Sequence, residues 1–264
     1  MRVDILQAVA IAYRGNTFLR GEGLDKAPEL MGPSELFRHV QELSFRRESG
    51  LPIANGCLSV GTKSFFIRMQ KEDVDEFRLA LDLCRRGNIS HEPAGWGIVA
   101  SSDHGTEIWQ PAWTGLLVRY NEPSAYRVAY LSSKHSPWAV RRPESVDAAA
   151  ARLRSLIHET LQTCIQLQLA PLFDQIRSAW SMEGKGSHLA EDILGLEPVE
   201  SVRQLTQMAI ECILLVEGRE WREMLEKLGE EKTLEHVTER LWSASMRAFE
   251  SICAHAASGI SRAA

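Results

Sequence analysis

Near the start of the chain the apolar positions Val3, Leu6, Ala10 and Tyr13 recur every three or four residues, with Asp4 and Gln7 between them. That spacing predicts an amphipathic helix, and the interrupting polar residues argue against a secretory leader. Ser34 after Pro33 offers an N-cap, Glu35 lies in the first turn beyond it, and Leu36, Phe37, Val40 and Leu43 share a helical face. A second helix ending near Gly50 is predicted. In IANGCLSVGTKSFFIRM the period changes, and the turn signals Asn55-Gly56 and Gly61-Thr62-Lys63 bracket β-prone runs that read as two antiparallel strands. KEDVDEFRLALDLCRRGN returns to helical spacing, with Val74, Phe77, Leu81 and Cys84 inward and Arg85, Arg86 and Gly87 at its end. The tripeptide RGN occurs twice, at Arg14 to Asn16 and at Arg86 to Asn88. Both copies read as helix C-caps, with the arginine near the carbonyl end and the glycine in a left-handed conformation.

From Gly95 the pattern is β again. GWGIVASS, TEIWQPAW, TGLLVRYN and YRVAYLSS are rich in branched and aromatic residues, and Asp103-His104-Gly105 and Glu122-Pro123-Ser124 supply connectors for a meander. Pro111 lacks a ladder donor, so its strand is expected to be bulged or at an edge. After the Pro-punctuated stretch SSKHSPWAVRRPE the chain reads helical. Segments are predicted at 145–169, then after an interruption at Pro171 through Leu172, Ile176 and Trp180, and after a loop at SMEGKGSH at 199–217, 219–228 and 233–256. The predicted class is α+β: N-terminal helices with an antiparallel β-meander, followed by an all-helical C-terminal half. Residues 1–144 form an α+β domain, and residues 145–264 a helical bundle region that either stands alone or shares one core with it. No period of 20 to 50 residues repeats, which sets aside a solenoid.

Composition narrows the setting. With 264 residues, 44% apolar and 25% charged, the chain can bury one large core or two modest ones. The net charge of -5 is uneven: residues 1–144 hold 18 Lys/Arg against 17 Asp/Glu and the remainder 12 against 18, so the halves carry about +1 and -6. An acidic second half repels phosphate backbones, and the first half offers only the isolated pairs Arg46/Arg47, Arg85/Arg86 and Arg141/Arg142. Nucleic acid is therefore not the expected partner. No apolar run approaches the ~20 residues of a membrane span. Five cysteines, at positions 57, 84, 164, 212 and 253, are never closer than 27 positions. That spacing removes CxxC redox and zinc arrangements and reads as buried thiols in a reducing, cytoplasmic setting.

The stretch SSDHGTEIWQPAW is the most conspicuous for chemistry. Neighbouring residues of a strand point to opposite faces, so Ser102, Asp103 and His104 cannot form a triad among themselves, whereas Asp and Gly are what a tight hairpin turn requires. Trp109 and Trp113 lie four apart and share a face opposite Ile108; that face is core if covered and an aromatic platform if open, and large aromatics are mostly buried. His91, His104 and His135 fall at strand ends that a meander could bring together, but nothing in their spacing fixes a metal site. His188 and Asp192, with Glu191 nearby, supply too few ligands for a closed site. The near misses exclude whole classes. EGKGS has the wrong order for a phosphate-binding loop, His158-Glu159 lacks the second histidine of HExxH, GCLSVG is one residue too long for a nucleophile elbow, and no GxGxxG follows a strand. The charged run EGREWREMLEKLGEEKTLEHVTERLW reads as the wet face of amphipathic helices, with Trp221, Trp242 and Met246 adding bulk that could seal against a second copy.

Two functions follow as expectations. The leading one is a cytosolic, non-catalytic protein-binding or assembly protein. It would work without cofactor or metal and engage a protein partner or itself through an aromatic β surface or a bundle face, with His104, Trp109, Trp113, His91, His135 and Arg119 as candidate contact residues. The rival is an enzyme or small-molecule sensor with a pocket between the β layer and the helices. There His91, His104 and His135 would converge, Glu107 or Asp103 would carry protons, and Arg119 or Arg127 would clamp an anion.

Overall fold

The computed structural model describes residues 3–21, 27–31, 34–47, 61–81, 96–115, 126–134, 143–181, 186–195, 198–228 and 232–258. The chain divides into two compact units, one formed mainly by residues 3–141 and the other mainly by residues 142–255. The α+β class is borne out: an N-terminal helix and a five-stranded sheet precede a helical C-terminal half.

In the first unit, helix α1 (Val3–Leu19) is followed by strand β1 (Val40–Arg47), helix α2 (Thr62–Lys71) and strands β2 (Val74–Leu81), β3 (Trp96–Ser102), β4 (Gly105–Gly115) and β5 (Tyr126–Lys134). The sheet order is β1-β5-β4-β3-β2. Strands β2 to β5 form the antiparallel meander, and β1 joins it alongside β5 in parallel, which makes the sheet mixed.

Three segments depart from their expected state. The second helix expected after Ser34 is a turn over residues 35–39 leading into β1, the helix expected from Lys71 is β2 over its described part, and the strand expected after Gly61 is replaced by α2, while the strand expected before Gly61 lies outside the described residues. Bulges explain the first two. The β1–β5 register slips between Val40 and Glu42, so Val40 faces Tyr126 while Leu43 faces Val128, and both point to one side although three residues apart. A slip between Val74 and Glu76 does the same for Val74, opposite Ser102, and Phe77, opposite Ala100. A bulged strand thereby imitates the three-residue spacing of a helix. In α2, Thr62, Phe65, Phe66 and Met69 are buried while Lys63, Ser64, Arg68 and Lys71 are exposed, a helical stripe that the aromatic content disguises as β.

Packing on one sheet face is aromatic. Phe65 stacks on Phe45 at 3.8 Å with planes 10° apart and meets Trp109 edge-on at 5.0 Å, and Phe45 also stacks on Tyr130 at 5.2 Å. Helix α1 packs on β2, and residues Ile5 to Tyr13 are buried in an unbroken run, so this helix is enclosed all round rather than half-wetted as its spacing suggested. The first RGN tripeptide lies inside α1 and is not a cap; the positive-φ glycine after the helix is Gly21, at 117°. Gly15 is there for space. A Cβ on it would lie 2.7 Å from Phe66 Cε1 and 2.7 Å from Phe77 Cδ2. Asn16, fully buried, uses that close approach: its Nδ2 donates to the Phe77 carbonyl at 2.8 Å and its Oδ1 accepts from the Phe77 N–H at 2.6 Å. The side-chain amide thus stands in for a neighbouring strand along the outer edge of β2. The second RGN copy lies outside the described residues.

The second unit contains α3 (Val146–Gln166), α4 (Phe173–Ser181), α5 (Gly186–Leu194), α6 (Glu200–Val216), α7 (Arg219–Leu228) and α8 (Lys232–Ala257). Ser145 caps α3 by accepting from the Ala148 N–H at 3.2 Å, and Pro171 sits in a short 3₁₀ turn between α3 and α4, as an interruption there requires. The expected loop at SMEGKGSH is partly helix, since α5 begins at Gly186. Helix α6 packs against α3, α4, α5 and α7 and is buried on nearly every face. The buried indole of Trp221 donates to Thr238 Oγ1 at 2.8 Å and joins α7 to α8.

Candidate functional site

The hairpin after β3 turns through Asp103 and His104 alone, with Ser102 paired to Gly105, and Gly105 takes φ of 137°, where a side chain would be strained. Ser102 Oγ accepts from the His104 N–H at 3.2 Å. Both turn residues are exposed. The stretch that opened the chemical question is therefore a two-residue turn, and His104 stands at its tip.

Beyond the turn, β4 runs through the interior of the sheet. Its register with β5 is unbroken from Glu107 opposite Lys134 to Gly115 opposite Tyr126, so Pro111 is neither bulged nor on an edge strand. The proline is tolerated because the β3–β4 ladder extends only to Ile98 and Trp109, leaving Pro111 two residues past the last pair on that side. Trp109 and Trp113 share a face, yet their fates differ. Trp109 is buried against Phe45 and Phe65, while Trp113 is 37% exposed. Tyr126, also 37% exposed, lies diagonally across from Trp113 because it pairs with Gly115, which presents no side chain. The two rings meet edge to face at 6.0 Å and 78°. Ile108, on the opposite face, is buried with Val99 and Ala80.

At the other end of β4, Glu107 is committed to an ion-pair network. Arg47 at the end of β1 donates to it from Nε at 2.8 Å and from Nη2 at 2.9 Å, and donates to Glu72 from Nη1 at 3.0 Å and from Nη2. Arg68 reaches Glu72 from the preceding turn of α2 at 3.2 Å. Hydrogen bonds to Glu72 and then to Glu107 hold the Arg47 guanidinium well above its ordinary range, so its charge is permanent. The Arg47 carbon also lies 6.0 Å from the Trp109 ring centroid. Two arginines against two carboxylates, joined side to side, make a balanced clasp between β1, β4 and the end of α2.

Reactive groups are few among the described residues. Cys164, Cys212 and Cys253 are free and buried, and burial pushes the first two thiols up to about 11 and about 12 and raises the third as well, which keeps all three protonated at neutral pH. No group of three or more His, Cys, Asp or Glu side chains among the described residues could hold a metal ion. His188 lies 3.9 Å from Glu191 on the exposed side of α5. Glu211 of α6 is buried and accepts from the Gly186 N–H, at the start of α5, at 2.6 Å; burial raises its carboxyl above the ordinary value, and that hydrogen bond offsets part of the rise.

Of the residues singled out from sequence, Trp109 is core, Trp113 is open, and His104 lies at the turn, five positions before Trp109 and nine before Trp113. Arg127 is exposed and lies 3.4 Å from Glu42. His91, His135, Arg119, Cys57 and Cys84 lie outside the described residues. Tyr126 and Arg47 were not anticipated. Tyr126 was legible only as a strand start, and Arg47 carried no signal because its partners are 25 and 60 positions away. Among the described residues no helix is long and apolar enough to cross a membrane. Comparison with protein-family models, curated proteins and solved structures finds no match.

Proposed function

We propose that the chain is a non-catalytic, cytoplasmic binding or assembly protein that holds a protein partner at the Trp113–Tyr126 end of its sheet. One observation carries the reading: of the described sheet aromatics, Phe45, Phe77, Trp96, Trp109 and Tyr130 are buried, while Trp113 and Tyr126 are each 37% exposed and packed on one another. A rigid aromatic pair offers apolar area at small entropic cost, the usual character of an interface anchor. The acidic second half favours a protein partner over nucleic acid. The rival enzyme reading is weakened because Glu107, one of its two candidate proton carriers beside Asp103, is engaged by Arg47.

The test is affinity recovery of the intact chain and its Trp113→Ala and Tyr126→Ala variants, with quantitative mass spectrometry of what is retained and native mass spectrometry for bound second copies. Both variants are expected to keep the wild-type circular dichroism and to lose at least tenfold of a specific partner or of the self-associated form. Equal recovery by wild type and both variants defeats the proposal.

A further inference from the structure

Helices α3 and α8 face each other across a groove bridged by the Arg240–Glu159 pair. On α3 the positions Arg152, Ser155, Leu156 and Glu159 follow the i, i+3, i+4, i+7 spacing, and on α8 Arg240, Ser243, Ala244 and Arg247 do the same. Such spacing normally carries an apolar seam. Here charged groups stand toward the ends, with Ser155, Leu156, Ser243 and Ala244 between them, and the gap between the helices is an open groove of about 360 Å³. That volume lies within the range of small-molecule sites.

The hydrogen bonding leaves donors unspent. Arg240 forks onto Glu159, with Nη2 donating to Oε2 at 2.9 Å and Nη1 to Oε1. Arg152 gives Nε and Nη2 to Glu144 Oε2 at 3.2 and 2.9 Å. The Nε of Arg240 and the Nη1 of Arg152 therefore have no acceptor among the described residues. Arg247, half-buried, pairs with no carboxylate among them. Among the described residues, three guanidinium groups against two carboxylates leave one net positive charge in the groove, inside the half of the chain whose charge is about -6 by 12 Lys/Arg against 18 Asp/Glu. A half-buried guanidinium without a carboxylate, beside the spare N–H groups of two others, gives the groove a locally positive potential suited to an anion.

We propose that this groove binds a small phosphate-bearing molecule, with the phosphate on Arg247 and within reach of the spare N–H groups of Arg152 and Arg240 and the hydroxyls of Ser155 and Ser243. A tetrahedral dianion suits donors arriving from two helices. A single carboxylate is satisfied by one fork, as Glu159 is. The groove belongs to the helical unit and the Trp113–Tyr126 pair to the sheet unit, so the two proposals fail independently.

Isothermal titration calorimetry of the intact chain decides it, with inorganic phosphate, glycerol phosphate and acetate at matched ionic strength. Saturable one-site binding is expected for phosphate or its ester but not for acetate. Arg247→Gln should weaken binding at least tenfold and Arg247→Lys less, while Ser243→Glu, at an exposed position, should abolish it with circular dichroism unchanged. Tighter binding of the ester assigns the rest of the cavity to an organic moiety, and equal affinity assigns the site to free phosphate. Absence of saturable heat from both phosphates, acetate binding as well as they do, or Arg247→Gln binding like wild type would each overturn the proposal.

Discussion

Replacing Asn16 by alanine tests how the outer edge of the sheet is held. In the folded protein the Asn16 amide satisfies both the N–H and the C=O of Phe77, at 2.6 and 2.8 Å, in a site with no solvent exposure. Alanine removes both partners at once. A buried backbone group left without a partner costs about 1–3 kcal/mol, so two cost about 2–6 kcal/mol, toward the low end if a water enters the space vacated. Against a typical domain stability of about 5–15 kcal/mol this is enough to shift the unfolding midpoint clearly. Urea unfolding followed by circular dichroism gives the total loss. Hydrogen exchange read by mass spectrometry over residues 74–81 localises it, because 2 kcal/mol of lost local stability speeds exchange by roughly 30-fold. Asn16→Asp is the sharper variant. It keeps an oxygen to accept from the Phe77 N–H but turns an acceptor toward the Phe77 carbonyl. When protonated it regains a donor, so its deficit relative to wild type should shrink as pH falls. An Asn16→Ala loss below about 0.5 kcal/mol, or unchanged exchange over residues 74–81, would refute the edge-closing role.

Gly15→Ala should destabilise, despite the ~1 kcal/mol that alanine gains over glycine within a helix. The added carbon meets the fully buried rings of Phe66 and Phe77 at 2.7 Å, and overpacking of this kind costs about 1–3 kcal/mol; a urea midpoint at or above the wild-type value would contradict the crowding. Glu211→Gln should be at least as stable as wild type at neutral pH. A carboxyl held above its unfolded value binds its proton more tightly when folded, so its charged form costs stability once pH exceeds both values, whereas glutamine keeps an acceptor for the Gly186 N–H without the charge. The advantage should fade as pH falls from neutral through the raised folded value toward the ordinary carboxyl value of 4.5 and be gone below it, and a pH-independent loss in thermal melts from pH 4 to 8 would contradict it.

The helical half was largely legible in the sequence. Its segments are long, their apolar residues keep one period, and Pro171 announces its own break, so the local pattern and the packed state agree; α6 then uses that pattern to sit among α3, α4, α5 and α7. The Asp103-His104 hairpin was equally plain, since turn chemistry is set within two or three residues. What tertiary structure alone decided is where local and long-range terms compete. Bulges near Val40 and Val74 gave strands a helical spacing, and α2 became a helix because its buried stripe places Phe65 on Phe45 and Trp109. The separate fates of Trp109 and Trp113, four residues apart on one face, depend on α2, whose Phe65 lies against Trp109. The clasp of Arg47 on Glu72 and Glu107, and the stand-in of Asn16 for a strand, join residues 25 to 61 positions apart. Periodicity reports which way a side chain points relative to its own element. It carries no record of what the rest of the chain sets against it, and burial, charge pairing and the openness of a site all follow from that second fact.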